Sequence, residues 1–377
     1  MSKITRRDAL RAVSAGMAGL PIVSLAAPRN RSREARGEIR AYQVGDQKGL
    51  DSLTLTQRPD PVPGPGQVVV RTRAAALNNR DISVLHGRYL GRKVAPERIP
   101  LADGAGDVIA VGEGVTRVAV GDRVTAVPFT SWADGEFDPS VFVADLGVGV
   151  DGWLTEKALL PADALVKVSD RIDYTDAAAL SAVGVTAWSI LHGLGAVKPG
   201  DVVLTLGTGG LSMMAVQLAK MAGARAAITS SSDEKLAAAR ALGADITVNY
   251  RTHPNWGEKI VEATDGHGVD IVVETVGAST LTQSLAACAP NARIGFVGSL
   301  GGQATAVPNF GTVIRKNVTI KGLTGGTRRT LERLHRAVEA SGLRPVIDKV
   351  FSFENAPAAF AHLAKGDHMG KVVIRFD

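Results

Sequence analysis

The chain has 377 residues, 45% of them apolar and 21% charged, with a formal net charge of +6 and a pI near 9.5. The first 36 residues hold eight Lys or Arg and two Asp or Glu, so they carry the whole excess, and the remainder has thirty-five of each sign. An electroneutral body gives no electrostatic grip on nucleic acid, and the single cysteine, Cys288, excludes an intramolecular disulfide framework and any multi-cysteine zinc site.

Residues 1–27 read as an export leader. Thr5-Arg6-Arg7-Asp8-Ala9-Leu10-Arg11 resembles a twin-arginine motif, with Ala9 where such motifs carry Phe or Leu. A small-residue apolar stretch follows over 12–26, and Ser24-Leu25-Ala26 fits a small-x-small cleavage site. The stretch is too short and too rich in Gly and Ala to predict a membrane span. The leader predicts periplasmic export of a folded protein; without it the chain is cytoplasmic with an N-terminal extension. Residues 29–36 read as a charged spacer.

From residue 39 onward the pattern is β-rich. Short apolar or alternating runs at 39–44, 53–57, 68–73, 107–111, 123–127 and 153–160 are punctuated by Gly and Pro, and no long amphipathic helix interrupts them. The character changes after Asp170. Helical periodicity over 175–191, capped by Asp173 or Thr175 and ended by Gly193 and Gly195, opens a regular alternation. Strands at 202–206, 226–229, 246–248, 271–274 and 293–297 alternate with helices at 211–222, 233–242, 256–264 and 280–288. Continuous apolar strands alternating with helices predict a doubly wound parallel sheet. A candidate strand at 318–321, a helix at 328–341, and strand, helix, strand at 346–351, 356–365 and 371–376 follow. The expected class is α/β: a leader at 1–36, a β-rich domain at 37–165, a cofactor domain at 166–325 and a C-terminal segment at 326–377.

Gly207-Thr208-Gly209-Gly210-Leu211-Ser212 follows the first of these strands directly and opens a helix. That context turns a common glycine pattern into a dinucleotide site. Gly207 permits the tight turn, Gly209 lets the backbone approach a pyrophosphate, and free N–H groups at the helix start meet the anion. Ser212 stands where a third glycine is usual, predicting a slightly wider helix–strand contact. The second strand ends at Ser230-Ser231-Ser232-Asp233-Glu234-Lys235. Hydroxyls in place of a carboxylate, with a cation at Lys235, favour NADP(H) over NAD(H). Asp233 reads as the cap of the next helix.

Further motifs complete a pattern: Ala76-Leu77-Asn78-Asn79-Arg80-Asp81, Ile99-Pro100-Leu101-Ala102-Asp103-Gly104-Ala105-Gly106, Gly121-Asp122-Arg123-Val124, Val185-Thr186-Ala187-Trp188, Lys198-Pro199-Gly200-Asp201 and Gly370-Lys371-Val372-Val373. Together they resemble the medium-chain dehydrogenase/reductase superfamily in its zinc-independent, quinone-oxidoreductase-like branch, from Ile39 to Phe376. The resemblance implies a GroES-like catalytic domain, completed by the C-terminal segment and packed on a Rossmann cofactor domain with the active site between. It implies a homodimer in which a late strand such as 318–321 extends pairing across the interface. It also implies that Tyr250 touches the adenosine phosphate end beside Lys235, that Val276, Gly277, Gly298 and Ser299 border the cofactor, and that Gly370 and Lys371 approach it from the catalytic domain.

Zinc members of this superfamily hold their catalytic metal with a Cys, a His and a second Cys. The matching positions here are Asn78, Ala102 and Ala182, none a competent ligand, so the resemblance implies metal-free chemistry. Asp103 and Asp107 read as capping and turn carboxylates. The scattered histidines (His86, His192, His253, His267, His335, His362 and His368) read as solvated, and Cys288 as a small buried hydrophobe. Zinc-free relatives place a Tyr where this chain has Asn79, whose amide can donate a hydrogen bond but cannot supply a proton. Asn78, Asn79 and Asp81 are therefore the first candidates at the substrate, with Thr186 beside the nicotinamide. Tyr89 and Trp132 are candidates for the pocket wall or for plain packing. Three readings stay open: an NADP(H)-dependent, zinc-independent reductase of quinones, enones or small carbonyl compounds; an NAD(P)-dependent alcohol dehydrogenase or aldehyde reductase; and a non-catalytic NADPH-binding redox sensor or structural protein. None calls for a nucleic-acid partner.

Overall fold

The computed structural model describes residues 37–194, 196–298 and 308–377; the leader with its twin-arginine-like motif, Gly195 and Ser299 lie outside the described residues. An antiparallel pair comes first, β1 (Glu38–Gln43) and β2 (Thr54–Pro59). Then follow β3 (Gln67–Ala76), β4 (Asp103–Val111), β5 (Arg123–Ala126), β6 (Lys157–Pro161) and β7 (Leu165–Lys167). One short helix, α1 (Asn79–Leu85), leaves the end of β3. Gly104 on β4 is fixed by its neighbour: an added Cβ would lie 2.2 Å from Cδ2 of the fully buried Trp153.

Two helices, α2 (Tyr174–Leu180) and α3 (Ala182–Trp188), with a π-helical turn over Ser189–Gly193, replace the single helix predicted at 175–191. The break falls at Ser181, whose buried hydroxyl bonds Thr125 Oγ1 on β5 at 2.8 Å and also reaches the Ala177 carbonyl. A serine hydroxyl that bonds out of the helix ladder bends the helix, and apolar periodicity carries no trace of it.

The second sheet is built from β8 (Val202–Leu206), β9 (Arg225–Ser230), β10 (Ile246–Asn249), β11 (Val269–Glu274), β12 (Cys288–Phe296) and β13 (Thr319–Gly322). All pair in parallel, in the order β10-β9-β8-β11-β12-β13. Helices α4 (Gly210–Met221), α5 (Asp233–Ala241), α6 (Trp256–Ala263), α7 (Leu281–Ala287) and α8 (Phe310–Lys316) make the crossovers. Every residue of β8 is buried, as a strand covered on both faces must be. The chain then runs through α9 (Arg328–Ser341), β14 (Ile347–Ser352), α10 (Ala356–Lys365) and β15 (Lys371–Arg375). These last strands return to the first sheet, ordered β14-β15-β3-β4-β5-β7 with β6 also on β3. The class is α/β, a β-rich GroES-like domain joined to a Rossmann-like parallel sheet.

Local expectations are corrected at three points. The cap of α5 is Ser232, whose Oγ accepts from Lys235 N at 3.2 Å; Asp233 instead accepts from Asn249 Nδ2 at 2.8 Å. Ser212 does not loosen the helix–strand contact but stitches it, its buried Oγ donating to the Leu206 carbonyl at 2.7 Å. His335 and His368 are buried rather than solvated. Cys288 is the buried small hydrophobe expected, its thiol pushed up to about 12 by burial.

His335 lies on the apolar face of α9 with Leu331, Leu334 and Val338, and neither ring nitrogen has a partner among the described residues. Burial pushes its pKa down to about 4, against the opposing pull of Glu339. The folded chain thus refuses a proton that the unfolded chain accepts from about pH 6.5 downward, so stability declines as pH falls from there to about 4 and is unaffected above. In melts at neutral pH and at pH about 5, His335→Leu should lose less melting temperature on acidification than the parent. Equal losses would place the acid sensitivity elsewhere.

Candidate active site

The order of the parallel sheet reverses between β8 and β11, which opens a crevice beyond the carboxyl ends of those strands. Thr275 Oγ1 donates to the Leu206 carbonyl at 2.7 Å and ties the two ends together. Gly207 turns the chain there with φ 71°, and Gly209 precedes α4, whose first amides lack partners within the helix. This amide-rich turn fits an anionic dinucleotide. From the other domain, Gly370 N donates to the Thr208 carbonyl at 2.9 Å, and Gly370 bridges Gly209. A Cβ on Gly210 would lie 2.6 Å from Lys371 Cδ, so the turn and the lysine stem are in contact. Leu211 is half-buried at the start of α4.

The far side of the crevice rests on Glu274, which sequence reasoning missed. This fully buried carboxylate accepts at Oε1 from Val276 N (3.1 Å), Gly277 N (3.0 Å) and Thr280 Oγ1 (2.8 Å), and at Oε2 from Ser284 Oγ (2.5 Å). Its carbonyl takes Val297 N and Gly298 N. Val276, Gly277 and Gly298 are therefore gathered by one residue, and a Cβ on Gly298 would lie 2.1 Å from the Thr275 carbonyl carbon. At the end of β9, Ser230 Oγ accepts from Ser232 N at 3.3 Å and Ser231 is half-buried. Lys235 Nζ donates to the Gly366 (3.2 Å) and His368 (3.4 Å) carbonyls. Tyr250 is exposed, with its amide on the Ser230 carbonyl at 3.1 Å. His368 was also missed: its buried ring places Nε2 3.9 Å from where a Gly209 Cβ would stand.

Asn78, at the head of α1, lies within a buried polar cluster. Its backbone N–H donates to Asp81 Oδ2 at 2.7 Å, and Asp81 N donates back to the Asn78 backbone carbonyl at 2.9 Å. Burial pushes the Asp81 carboxyl up to about 6, against the pull of Arg80. Asn78 Nδ2 donates to Asp103 Oδ2 at 2.9 Å. Lys371 Nζ donates to the Leu77 carbonyl (2.7 Å), Asn78 Oδ1 (2.7 Å) and Asp103 Oδ2 (3.0 Å). Asp103 is thus no turn carboxylate; it is fully buried, and its Oδ1 has no partner among the described residues. Asp107 instead binds Arg73 Nε at 2.6 Å and the Tyr174 hydroxyl. Asn79 is exposed. Arg80 reaches Asp145 at 2.8 Å and lies 5.5 Å over the Tyr89 ring, which ties Tyr89 to the start of α1. Trp132 packs in an aromatic group with Phe129 and Phe137. Thr186 turns its hydroxyl back to the Ala182 carbonyl at 2.7 Å.

No group of three His, Cys, Asp or Glu among the described residues would hold a metal ion. Ala102 and Ala182 supply no ligand atom, and Asp103 Oδ2 is paired with the Lys371 ammonium, while Oδ1 has no partner among the described residues.

Residues 64–170 match the alcohol dehydrogenase GroES-like domain family, and residues 210–340 the zinc-binding dehydrogenase family. The chain is 37% identical over 344 residues to a zinc-type alcohol dehydrogenase-like protein of Schizosaccharomyces pombe, covering 89% of this chain and 99% of that one. Among solved structures, a quinone oxidoreductase of Pseudomonas syringae superposes with a TM-score of 0.75 at 30% identity, covering 89% and 99% of the two chains. A mycobacterial protein solved with NADPH gives 0.75 at 26% identity, over 89% and 99%. Further solved neighbours include two that bear the name alcohol dehydrogenase, one of them described as NAD-dependent.

Replacing Glu274 by Ala strands two backbone amides and two hydroxyls inside the protein. A loss on the order of 3 kcal/mol in denaturant unfolding is expected, together with weaker NADPH binding. Unchanged binding in a folded variant would separate this loop from the cofactor.

Proposed function

The chain belongs to the medium-chain dehydrogenase/reductase superfamily of NAD(P)-dependent oxidoreductases, and on that premise we propose that it is an NADP(H)-dependent, zinc-independent reductase of quinones, enones or other small carbonyl compounds. The donor set around Asn78 carries the reading. Where a catalytic metal needs three ligands, this chain offers an amide, two alanines and a carboxylate bound to an ammonium. An arriving cation would meet the charge of Lys371 at close range. Acceptors that are already electron-poor suit such a site, since they need little polarisation of the carbonyl.

A reduced nicotinamide, when bound, supplies the hydride. The chain's own residues hold and orient the partners. Amides at the start of α4 grip the pyrophosphate, and the Asn78 and Asn79 carboxamides donate to the oxygen that gains charge, with solvent completing protonation. Alcohol oxidation or aldehyde reduction is the second reading, favoured by the names of several relatives.

Hydroxyl-rich chemistry at Ser230 and Ser231 supports the 2′-phosphate preference. So does Lys235, whose ammonium has two carbonyl acceptors and one hydrogen uncommitted among the described residues. The exposed apolar surface of Phe310, Ile314 and Ile320, along the β13 edge of the sheet, supports a homodimer closed by strand pairing, which sedimentation velocity would check. The leader supports export of the folded protein, to be read from the N-terminus of the mature chain.

Incubation with NADPH and phenanthrenequinone or an enal should consume the nicotinamide absorbance in metal-free protein. Tight NADPH binding without turnover of any acceptor would remove the reductase reading, and stoichiometric zinc in the purified protein would remove the metal-free one. Lys235→Ala is expected to raise the Kd for NADPH by about tenfold while leaving that for NADH unchanged. Equal losses would remove the 2′-phosphate argument.

A further inference from the structure

Lys371 is 3% exposed, and each of its three ammonium hydrogens has an acceptor: Leu77 O, Asn78 Oδ1 and Asp103 Oδ2. A lysine so engaged has nothing left to offer a phosphate. What it does hold is an amide. Asn78 is gripped at both ends, with its oxygen on the ammonium and its nitrogen on the Asp103 carboxylate. Rotating the carboxamide by half a turn would set NH2 against NH3+ and oxygen against oxygen, so two opposite charges fix which end is which. Nδ2 carries two hydrogens, and Asp103 takes one; the other has no acceptor among the described residues. Leu77, Asp103 and Lys371 are all buried, and only Asn78 of the four is half-buried.

We propose that Lys371 and Asp103 are a positioning pair that aims the free Nδ2–H of Asn78 at the oxygen of a carbonyl acceptor. This rests on the reductase reading above and narrows it to acceptors whose oxygen gains negative charge. The pair also lends the amide polarity, because a carboxylate at one N–H and an ammonium at the C=O orient its dipole before the reaction begins. The Lys371 stem lies against Gly210, so the fixed amide and the cofactor turn share one rigid support.

The experiment compares Lys371→Met and the charge-neutral double variant Lys371→Met/Asp103→Asn with the parent. The readouts are thermal melts, NADPH Kd by titration calorimetry, phenanthrenequinone kinetics and crystal structures. The single variant buries an unpaired carboxylate and should melt early, while the double variant should regain most of the melting temperature. Both should lose kcat by about 100-fold, with KM and the NADPH Kd held within about threefold. The Asn78 carboxamide should be rotated or disordered in the crystal structure of the double variant.

Recovery of kcat together with melting temperature in the double variant would make the pair merely structural and overturn the proposal. A tenfold or greater rise in NADPH Kd at constant kcat would make Lys371 a cofactor ligand and overturn it equally. Absence of turnover in the parent refutes the reductase reading instead, and the orientation of Asn78 in the double variant still decides the positioning role. An unmoved amide there overturns it.

Discussion

An ammonium and a carboxylate 3.0 Å apart, both shut away from water, sit where the two halves of this molecule meet. Removing such charges from water costs several kcal/mol per ion, and their attraction offsets that cost only when the remaining hydrogen-bonding capacity is filled. Lys371 meets the condition with two further acceptors, whereas Asp103 leaves one oxygen without a partner among the described residues. Breaking one side of a pair like this costs about 3–5 kcal/mol. The arrangement is retained at that risk because it joins four pieces of chain: β15, β4, the head of α1 and the glycine turn.

The remainder of the site follows the same logic of buried charge used as a clamp. Glu274 gathers the loop after β11 with four donors, and Asp145 holds Arg80 against Tyr89. The parallel sheet supplies the crevice through its change of strand order, and these clamps set the loops on either side of it. The exposed groups Asn79 and Tyr250 stand outside these clamps.

The glycine turn was legible in the sequence because its signal is local: an apolar strand, small residues and a helix within about a dozen positions. The alternation of strands and helices was legible for the same reason. The pairing of Lys371 with Asp103 was not, because 268 positions separate them; Asp103 alone looks like a turn carboxylate, and only the family resemblance placed Lys371 near the cofactor. Ser181 broke a predicted helix through a hydroxyl that bonds across to β5, and Ser212 tightened a contact expected to widen. His335 shows the converse failure, since a titratable residue on an apolar helix face gave the pattern of a core position and was assigned to solvent by its chemistry.

The place of β15 in the first sheet also orders events during translation. The C-terminal half of β3, next to Leu77 and Asn78, pairs on one side with β15, and Lys371 reaches Leu77 across 294 positions of sequence. The stretch of β3 nearest the site therefore leaves the ribosome with one edge unpaired and keeps it so until the entire parallel sheet has been synthesised. An open edge is a liability for aggregation. Every strand of the parallel sheet has therefore been synthesised before Lys371 can reach Leu77 and Asn78.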